Sequence, residues 1–280
     1  MKVVLAGAFG NLGVEILKAL MAAGHEVVAA DMVVDGAKEI VCERRVMDAT
    51  RPETLKGLCD GADAVISTVG LTRTSATITN YQVDYQGNLN LLEEAKRVGV
   101  QRFVYISVIK ADSDPTVPML HAKALFEEKL KASGLTWVIH RPTGYFYDIA
   151  KVFMPMIEKG QVTLLGKQDV HANVIDTPDF ADFIVRHLAD ENCTYDVGGR
   201  ETYSYEEMAN MFFAAAGKPA VIKRAPVFLF DVLALVNRWK KNGKEAIIRF
   251  SKWTLTHDLV GKDTWGEHSF RAYIESCYKK

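Results

Sequence analysis

Cysteine is scarce in this sequence, which contains four among its 280 residues. No two of them form a Cys-x-x-Cys pair, so free thiols in a reducing compartment are favoured over a disulfide scaffold or a zinc site. The seven histidines include no His-x-x-x-His pair with an acidic neighbour. We therefore expect no metal site.

Long hydrophobic runs are also lacking. The longest, residues 227–236, is interrupted by Asp231 and is too short to cross a bilayer, so we expect no stable membrane insertion. A basic stretch follows this run and extends to Lys244. We interpret the segment as a helix of a substrate-binding part, with an amphipathic lid or a membrane-facing helix as alternatives.

Neither sign of charge is in excess, since the formal net charge is −1. This balance gives no basic surplus for binding nucleic acid or an anionic membrane, and we expect no nucleic-acid partner. A strand predicted from Lys2 onwards leaves no room for a signal peptide, which predicts a cytoplasmic protein.

Strand-like and helical patterns alternate through the first 140 residues. Continuous rather than alternating hydrophobicity, as in residues 103–106, is typical of strands that are buried on both faces. The pattern predicts an α/β fold, a doubly wound parallel sheet of Rossmann type with helices on both faces. The predicted strands are residues 2–6, 26–30, 44–47, 64–68, 102–107 and 136–140, and the predicted helices are residues 12–23, 52–58, 81–98 and 120–133.

The first strand breaks into a Gly7-x-x-Gly10-x-x-Gly13 turn, and a helical pattern follows at once. In such a turn Gly7 allows a tight reversal, Gly10 allows the backbone to approach a pyrophosphate, and Gly13 allows close packing of helix and strand. The helix also directs unpaired N–H groups at an anion. The predicted pyrophosphate-binding residues are Gly7, Phe9, Gly10, Asn11, Leu12 and Gly13.

Asp31 ends the second strand, where an acidic side chain can accept hydrogen bonds from an adenosine ribose diol and repel a 2′-phosphate. No arginine stands at positions 32–35. NAD is therefore the predicted cofactor, with NADP possible and a solvated carboxylate as the alternative role for Asp31.

Two further strand ends are candidates for the adenosine side of the cofactor. Asp48 can accept from the adenine amino group while the backbone N–H of Ala49 meets a ring nitrogen, although Asp48 also fits a helix N-cap. A small loop follows the fourth strand and is predicted to run along the cofactor. Its residues are Thr68, Val69 and Gly70.

Taken in order along the chain, these residues resemble the extended and atypical short-chain dehydrogenase/reductase superfamily. The similarity runs through about residue 220, and it is closest to the NmrA-like and divinyl-chlorophyllide-reductase-like members. The residues that carry it are the glycine turn, Asp31, Asp48, Ser107, Lys123 and Arg141-Pro142.

The resemblance implies a serine and a Tyr-x-x-x-Lys pair as the catalytic groups, with Ser107 and Lys123 in two of these places. Lys123 would also hold the nicotinamide ribose. The position of the tyrosine is occupied by Met119, which transfers no proton. Three outcomes stay open: another group (Lys123, Tyr145 or Tyr81) supplies the proton, water does, or the protein binds dinucleotide without chemistry.

From residue 141 the strand–helix rhythm changes. Residues 1–140 are predicted to form the NAD(P)-binding domain, and residues 141–280 mainly a substrate-binding or lid part that extends over the carboxyl edge of the sheet. Segments near residues 162–200 are predicted to return to the sheet. Pro142 is predicted to lie beside the nicotinamide, while Arg73, Tyr145 and Phe146 are substrate candidates, with a core role open for the aromatic pair and a solvated loop for Arg73.

The sequence favours an NAD(P)-dependent oxidoreductase that transfers hydride to or from a small organic substrate. The alternative is a non-catalytic NAD(P)-binding redox sensor or assembly factor, which the methionine at position 119 suggests. A nucleotide-sugar epimerase or dehydratase ranks lower because that branch keeps the tyrosine. A monomer or a homodimer is expected.

Overall fold

In the computed structural model, which describes residues 1–71 and 76–279, the apolar runs of the sequence form short and mostly buried strands. In β1 and β4 nearly every residue is inaccessible to solvent, as expected for strands covered on both faces. The strands are β1 (Lys2–Ala6), β2 (Glu26–Asp31), β3 (Glu43–Val46), β4 (Ala64–Ser67), β5 (Arg102–Ile106), β6 (Thr136–Pro142), β7 (Val162–Leu165), β8 (His171–Ala172), β9 (Cys193–Gly198), β10 (Tyr203–Ser204), β11 (Ile222–Ala225) and β12 (Asp263–Thr264).

Within the described ranges, the principal sheet has eight strands in the order β12-β9-β6-β5-β4-β1-β2-β3. β1 pairs in parallel with β2 on one side and with β4 on the other, so that Val3 lies between Val27 and Ala64. The chain therefore winds outward from β1 in both directions, which confirms the predicted doubly wound Rossmann architecture.

Helices follow most of the strands and cover the sheet. A 3-10 turn forms at Pro52–Thr54 and a π-helical segment at Tyr81–Gly87. The α-helices are α1 (Asn11–Ala22), α2 (Asn88–Arg97), α3 (Pro118–Lys131), α4 (Phe146–Glu158), α5 (Thr177–Arg186), α6 (Tyr205–Ala215), α7 (Phe228–Trp239), α8 (Lys244–Thr254) and α9 (Phe270–Tyr278).

Two predicted helices differ from those observed. The helix expected at residues 52–58 is limited to the 3-10 turn. Gly57 has a φ of +78°, which is incompatible with a right-handed helix, so the helix does not continue through it. The helix expected at residues 81–98 starts as a π-helix because the Asn88 amide donates to the carbonyl oxygens of Asp84 (2.9 Å) and Val69 (3.1 Å). A side chain that competes for backbone carbonyls disturbs the α-helical ladder.

The chain divides into two compact units. The first contains Met1–Arg141 together with Ala181–Tyr195, and the second contains Pro142–Phe180 together with Asp196–Lys280. In the first unit the core lies between the sheet and its helices, with Phe126 of α3 packed on Tyr105 and Phe103 of β5 at ring-centroid distances of 4.6 and 5.8 Å.

The second unit has a core of aromatic residues from its helices. Phe153 of α4 stacks on Phe212 of α6 with 5.4 Å between ring centroids, and Phe270 of α9 lies 4.9 Å from Phe146. Two small sheets complete the unit: β7 with β11 in parallel, and β8 with β10 antiparallel. The sequence pattern predicts helices at residues 179–188, 205–216, 228–240 and 269–277 but none at α4 or α8, and Pro155 within α4 is the kind of residue that hides a helix from a sequence pattern.

A buried histidine lies at the end of β6 in the first unit. The ring of His140 stacks on Tyr195 (5.6 Å between centroids) and meets the edge of Phe183 at 5.7 Å. Asp190 accepts from the Tyr195 hydroxyl and lies 2.7 Å from Nδ1 of His187. Burial, aided by His187, lowers the pKa of His140 to about 3, so the ring is neutral in the folded protein at neutral pH.

This burial predicts a loss of stability in mild acid. An unfolded histidine binds its proton at a pKa of about 6.5, so the stabilisation is fully present above that pH and falls by about 1.4 kcal/mol per pH unit below it, until the folded pKa is reached. Urea unfolding between pH 7 and pH 5 measures the slope. His140→Phe should flatten it, whereas His171→Gln, at a half-exposed site, should not. An unchanged slope in His140→Phe would contradict this assignment.

Candidate functional site

The turn after β1 is compact because two of its glycines have no space for a side chain. Gly7 has a φ of +81°, its N–H donates to the carbonyl oxygen of Ala30 (2.8 Å), and a Cβ added there would lie 2.3 Å from Oγ1 of Thr68. A Cβ on Gly13 would lie 2.0 Å from the carbonyl oxygen of Gly7. The backbone itself therefore requires glycine at positions 7 and 13.

Gly10 has a different role, because its backbone is extended (φ −72°, ψ 168°) and suits any residue. An added Cβ would meet the carbonyl oxygen of Gly7 at 3.6 Å, an ordinary contact. Gly10 is the N-cap of α1, and within the described residues no side chain caps it. The N–H groups of the first helical turn are thus available to an anion, and the missing Cβ leaves room for a phosphate to approach them.

Asp31 fastens this turn to the end of β2. Its Oδ2 accepts from the N–H of Phe9 (2.9 Å) and its Oδ1 accepts from the N–H of Met32 (2.7 Å). The carboxylate therefore holds a negative charge beside the turn and orders the turn at the same time, a structural role that the sequence pattern did not reveal.

Arg44 of β3 is a residue beside the glycine turn that the sequence analysis missed. Its guanidinium lies over the ring of Phe9, 4.8 Å from the centroid, and donates to four backbone carbonyl oxygens. These oxygens belong to Val34, Gly36, Ala37 and Ile40. Arg44 thus orders the segment that follows β2 and packs it against the glycine turn, although nothing in the sequence distinguishes it from its exposed neighbour Arg45.

The adenosine candidates follow β3 and β4, which are separated in the sheet by β1 and β2. Oγ1 of Thr68 donates to the carbonyl oxygens of Ala6 (3.1 Å) and Gly7 (3.0 Å), which joins the loop after β4 to the glycine turn. Asp48 accepts from both the N–H and the hydroxyl of Thr50 through Oδ1, so its carboxylate closes a local turn. Ala49 is buried.

Lys123 of α3 reaches a buried carboxylate. Its Nζ lies 3.3 Å from Oδ1 of Asp84 and 3.4 Å from the hydroxyl of Tyr105, and the Asp84 side chain is 1% exposed. Gly70 lies against the same pair, because a Cβ added there would sit 3.0 Å from Asp84 and 3.5 Å from Lys123. Asp84 is not among the predicted site residues, yet its carboxylate is the ion-pair partner of Lys123.

Ser107 belongs to a separate buried group. Its hydroxyl donates to Oε1 of Glu127 (2.6 Å), and Arg141 binds both oxygens of the same carboxylate at 2.9 and 2.5 Å. Glu127 is 1% exposed. Because Arg141 binds the carboxylate through two hydrogen bonds, the Arg141–Glu127 pair is strong and geometrically specific. The same carboxylate accepts the hydroxyl proton of Ser107.

Two phenols contact side chains of α3 in different surroundings, Tyr105 at Lys123 and Tyr81 at His121. Tyr105 is buried, and burial together with the neighbouring carboxylates raises its pKa well above the ordinary value. Tyr81 is partly exposed, and its hydroxyl lies 2.9 Å from Nδ1 of His121.

The remaining candidates belong to the second unit or lie outside the described residues. Pro142 is buried at the end of β6. Phe146 is buried against Phe270 and Tyr273, whereas Tyr145 stacks on Tyr147 at 5.5 Å. Arg73 lies outside the described residues. In residues 1–71 and 76–279, no group of three or more His, Cys, Asp or Glu side chains is arranged to hold a metal ion.

The fold and the glycine turn together define a Rossmann-type dinucleotide-binding protein. A family model described as NAD(P)H-binding matches residues 7–191, well over half of the chain. The chain belongs to this NAD(P)H-binding family, as the glycine turn after β1 predicts. The predicted nicotinamide cofactor is confirmed at the level of NAD(P).

Similar proteins include both an assembly factor and enzymes. The chain is 29% identical over 257 residues to the photosystem II assembly factor Ycf39 of Guillardia theta, which covers 88% of this chain and 81% of that protein. Its fold matches the NADPH-dependent quinone oxidoreductase QOR2 of Escherichia coli, crystallised with NADPH (TM-score 0.75, 16% identity, 99% and 100% of the two chains). It also matches the UDP-glucose 4-epimerase of Thermus thermophilus in complex with NAD (TM-score 0.66, 23% identity, 81% and 86%).

The glycine geometry predicts opposite outcomes for two alanine substitutions. Gly10→Ala should leave the free energy of unfolding nearly unchanged but weaken NADH and NADPH binding at least about tenfold, because the new methyl group occupies the phosphate approach. Gly13→Ala should destabilise the fold by several kcal/mol, since the backbone contact has no room to relax. Urea unfolding and calorimetric titration separate the two effects. Normal nucleotide binding by Gly10→Ala would contradict the assignment of the phosphate site.

Proposed function

We propose that this protein is an NAD(P)-binding assembly or regulatory factor, in which occupancy by the dinucleotide rather than turnover is the output. The observation that supports it most is the state of the three catalytic positions. Met119 replaces the tyrosine, and the serine and the lysine are both engaged by buried carboxylates.

Position 119 provides no proton donor for a reduction. Reduction of a carbonyl by hydride requires a proton at the substrate oxygen, which a tyrosine supplies in related enzymes. The thioether of Met119 has no proton to give. Tyr105 is a poor substitute, because its burial raises the pKa of the phenol and the protein buries the whole side chain.

The hydroxyl of Ser107 is engaged within the protein. Its proton points at Glu127, and Arg141 holds that carboxylate through two hydrogen bonds. Turning the hydroxyl toward a substrate would leave a buried carboxylate oxygen with one partner fewer, which costs about 1–3 kcal/mol. Ser107 is therefore better suited to maintaining the end of β5 than to binding a substrate.

We propose that Lys123 holds the nicotinamide ribose and that Asp84 positions the lysine. The ammonium group is fixed by Asp84 and lies beside Gly70, where a side chain would crowd it. When bound, the nicotinamide could supply hydride at its C4 atom. The residues of this chain, however, are arranged to bind and orient the dinucleotide rather than to deliver a proton.

The other sites follow from the same proposal. The glycine turn and α1 bind the pyrophosphate, Asp31 accepts from the adenosine ribose, and the strand ends at Asp48 and Thr68 line the adenosine side. NAD is preferred over NADP because the charge of Asp31 opposes a 2′-phosphate. Residues from 141 onwards provide the surface that recognises the partner. The relatives named photosystem II assembly factors are consistent with an output of this kind.

A second candidate function is an oxidoreductase that acts on a small organic substrate. The contact between Tyr81 and His121 favours it, because a partly exposed phenol beside an imidazole is a pair that can donate and recover a proton. In this case Tyr81 would take over the role of the missing tyrosine.

Stereospecific deuteride transfer from labelled NADH distinguishes the two functions. With panels of quinones, carbonyls and activated alkenes, we expect calorimetric binding of NADH but no deuteride transfer by the wild-type protein. Met119→Tyr should gain transfer about a hundredfold above background, because it places a phenol four residues before Lys123, whereas the matched Met119→Phe should not. Wild-type transfer that Tyr81→Phe abolishes would overturn the proposal in favour of the oxidoreductase.

Cofactor preference is tested by Asp31→Asn, with Asp35→Asn at an exposed position as the matched control. Removing the charge should lower the ratio of the NADPH to the NADH dissociation constant about tenfold, which corresponds to about 1.4 kcal/mol of repulsion. Calorimetric titration of both cofactors gives the ratio. An equal change for both cofactors would show that Asp31 only orders the turn through Phe9.

A further inference from the structure

Helix α7 of the second unit presents its apolar side to solvent. Seven of its residues are large, hydrophobic and between 41% and 79% exposed. The helix buries a small residue and a polar one, Ala234 and Asn237. The exposed residues are Phe228, Leu229, Val232, Leu233, Leu235, Val236 and Trp239.

The arrangement is the reverse of an ordinary surface helix, whose apolar stripe faces the core. At 100° per residue, the seven exposed side chains cover an arc of about 160° on one side of α7. Polar contacts hold the opposite side: Asp231 binds Lys252 of α8 at 2.6 Å, and Oδ1 of Asn237 accepts from Asn242. An apolar surface this continuous marks an interaction site.

The charge around α7 indicates the kind of partner. Residues 223–252 contain eight lysines and arginines against two acidic residues, although the whole chain has a net charge of −1. Trp239 is followed by the exposed residues Lys240 and Lys241, and Lys244 opens α8. Aromatic and apolar residues bordered by lysine and arginine match the layers of an anionic bilayer, with acyl chains below the negatively charged headgroups.

We propose that α7 docks the protein on an anionic phospholipid surface, lying in the interface with its apolar arc inserted. Among the described residues no helix is long and apolar enough to cross a membrane, so the attachment is peripheral. The alternative occupant, a second copy of this chain, is disfavoured because a two-fold contact through α7 would bring two strongly basic segments together. This inference does not depend on the proposed function, since it involves neither the glycine turn nor Lys123.

Co-sedimentation of the full chain with vesicles tests the proposal. We expect binding to phosphatidylcholine vesicles that contain phosphatidylglycerol, little binding to phosphatidylcholine alone, and loss of binding in about 0.5 M NaCl, where charges are screened within a few ångströms. Phe228→Ser with Trp239→Ser should reduce the partition coefficient at least about tenfold. Val33→Ser with Val41→Ser, at exposed apolar sites of 65% and 88%, should not.

Two further variants test separately whether the basic residues contribute to vesicle binding and whether Trp239 inserts into the bilayer. Lys240→Gln with Lys244→Gln should weaken binding to the anionic vesicles, whereas Lys38→Gln with Lys159→Gln should not. A blue shift of tryptophan emission on vesicle binding should disappear in Trp239→Phe, which still sediments with the vesicles. Absence of vesicle binding, equal binding by the Phe228→Ser and Trp239→Ser double variant, or a wild-type dimer that this double variant dissociates would each overturn the proposal.

Discussion

The close approach of the backbone around Gly7 is the contact on which the first unit depends. The turn after β1 passes within reach of Thr68 and of the first residues of α1, and no Cβ fits at Gly7 or Gly13. Gly7 and Gly13 are packed against neighbouring atoms, whereas Gly10 is exposed and leaves the start of α1 accessible. The same turn is held by Asp31 and covered by Phe9, over which Arg44 lies. The packing of the sheet thus fixes the shape of the proposed phosphate site.

The side chains at the predicted catalytic positions 107 and 123 have hydrogen-bond or ion-pair partners within the protein. Lys123 is paired with Asp84, and Ser107 is paired with Glu127, whose carboxylate Arg141 also holds. Buried charges are tolerated when they are paired in this way, and breaking one pair leaves an uncompensated charge. These pairs hold Lys123 and Ser107 in place although Met119 stands where the resemblance implies a tyrosine.

The second unit adds a different property. Its aromatic core is complete without α7, whose apolar arc is left on the surface while its polar side is bound to α8. Hydrophobic area of this extent is usually buried by a partner. The proposed dinucleotide site and the proposed docking helix α7, present in one chain, are together what we expect of a protein that acts at a surface.

Local patterns were enough to predict the central strands, the Rossmann class and the glycine turn, because each is encoded by neighbouring residues. Glycine stands where the chain returns from a helix or turn to a strand, at Gly24, Gly61, Gly99 and Gly134, and all four have a positive φ. The sequence could not show that Asp84 faces Lys123 or that Ser107 faces Glu127, since these partners are 39 and 20 residues apart and meet only through packing. Nor could it show which way α7 faces: an amphipathic pattern specifies two sides of a helix, and tertiary contacts decide which of them is buried.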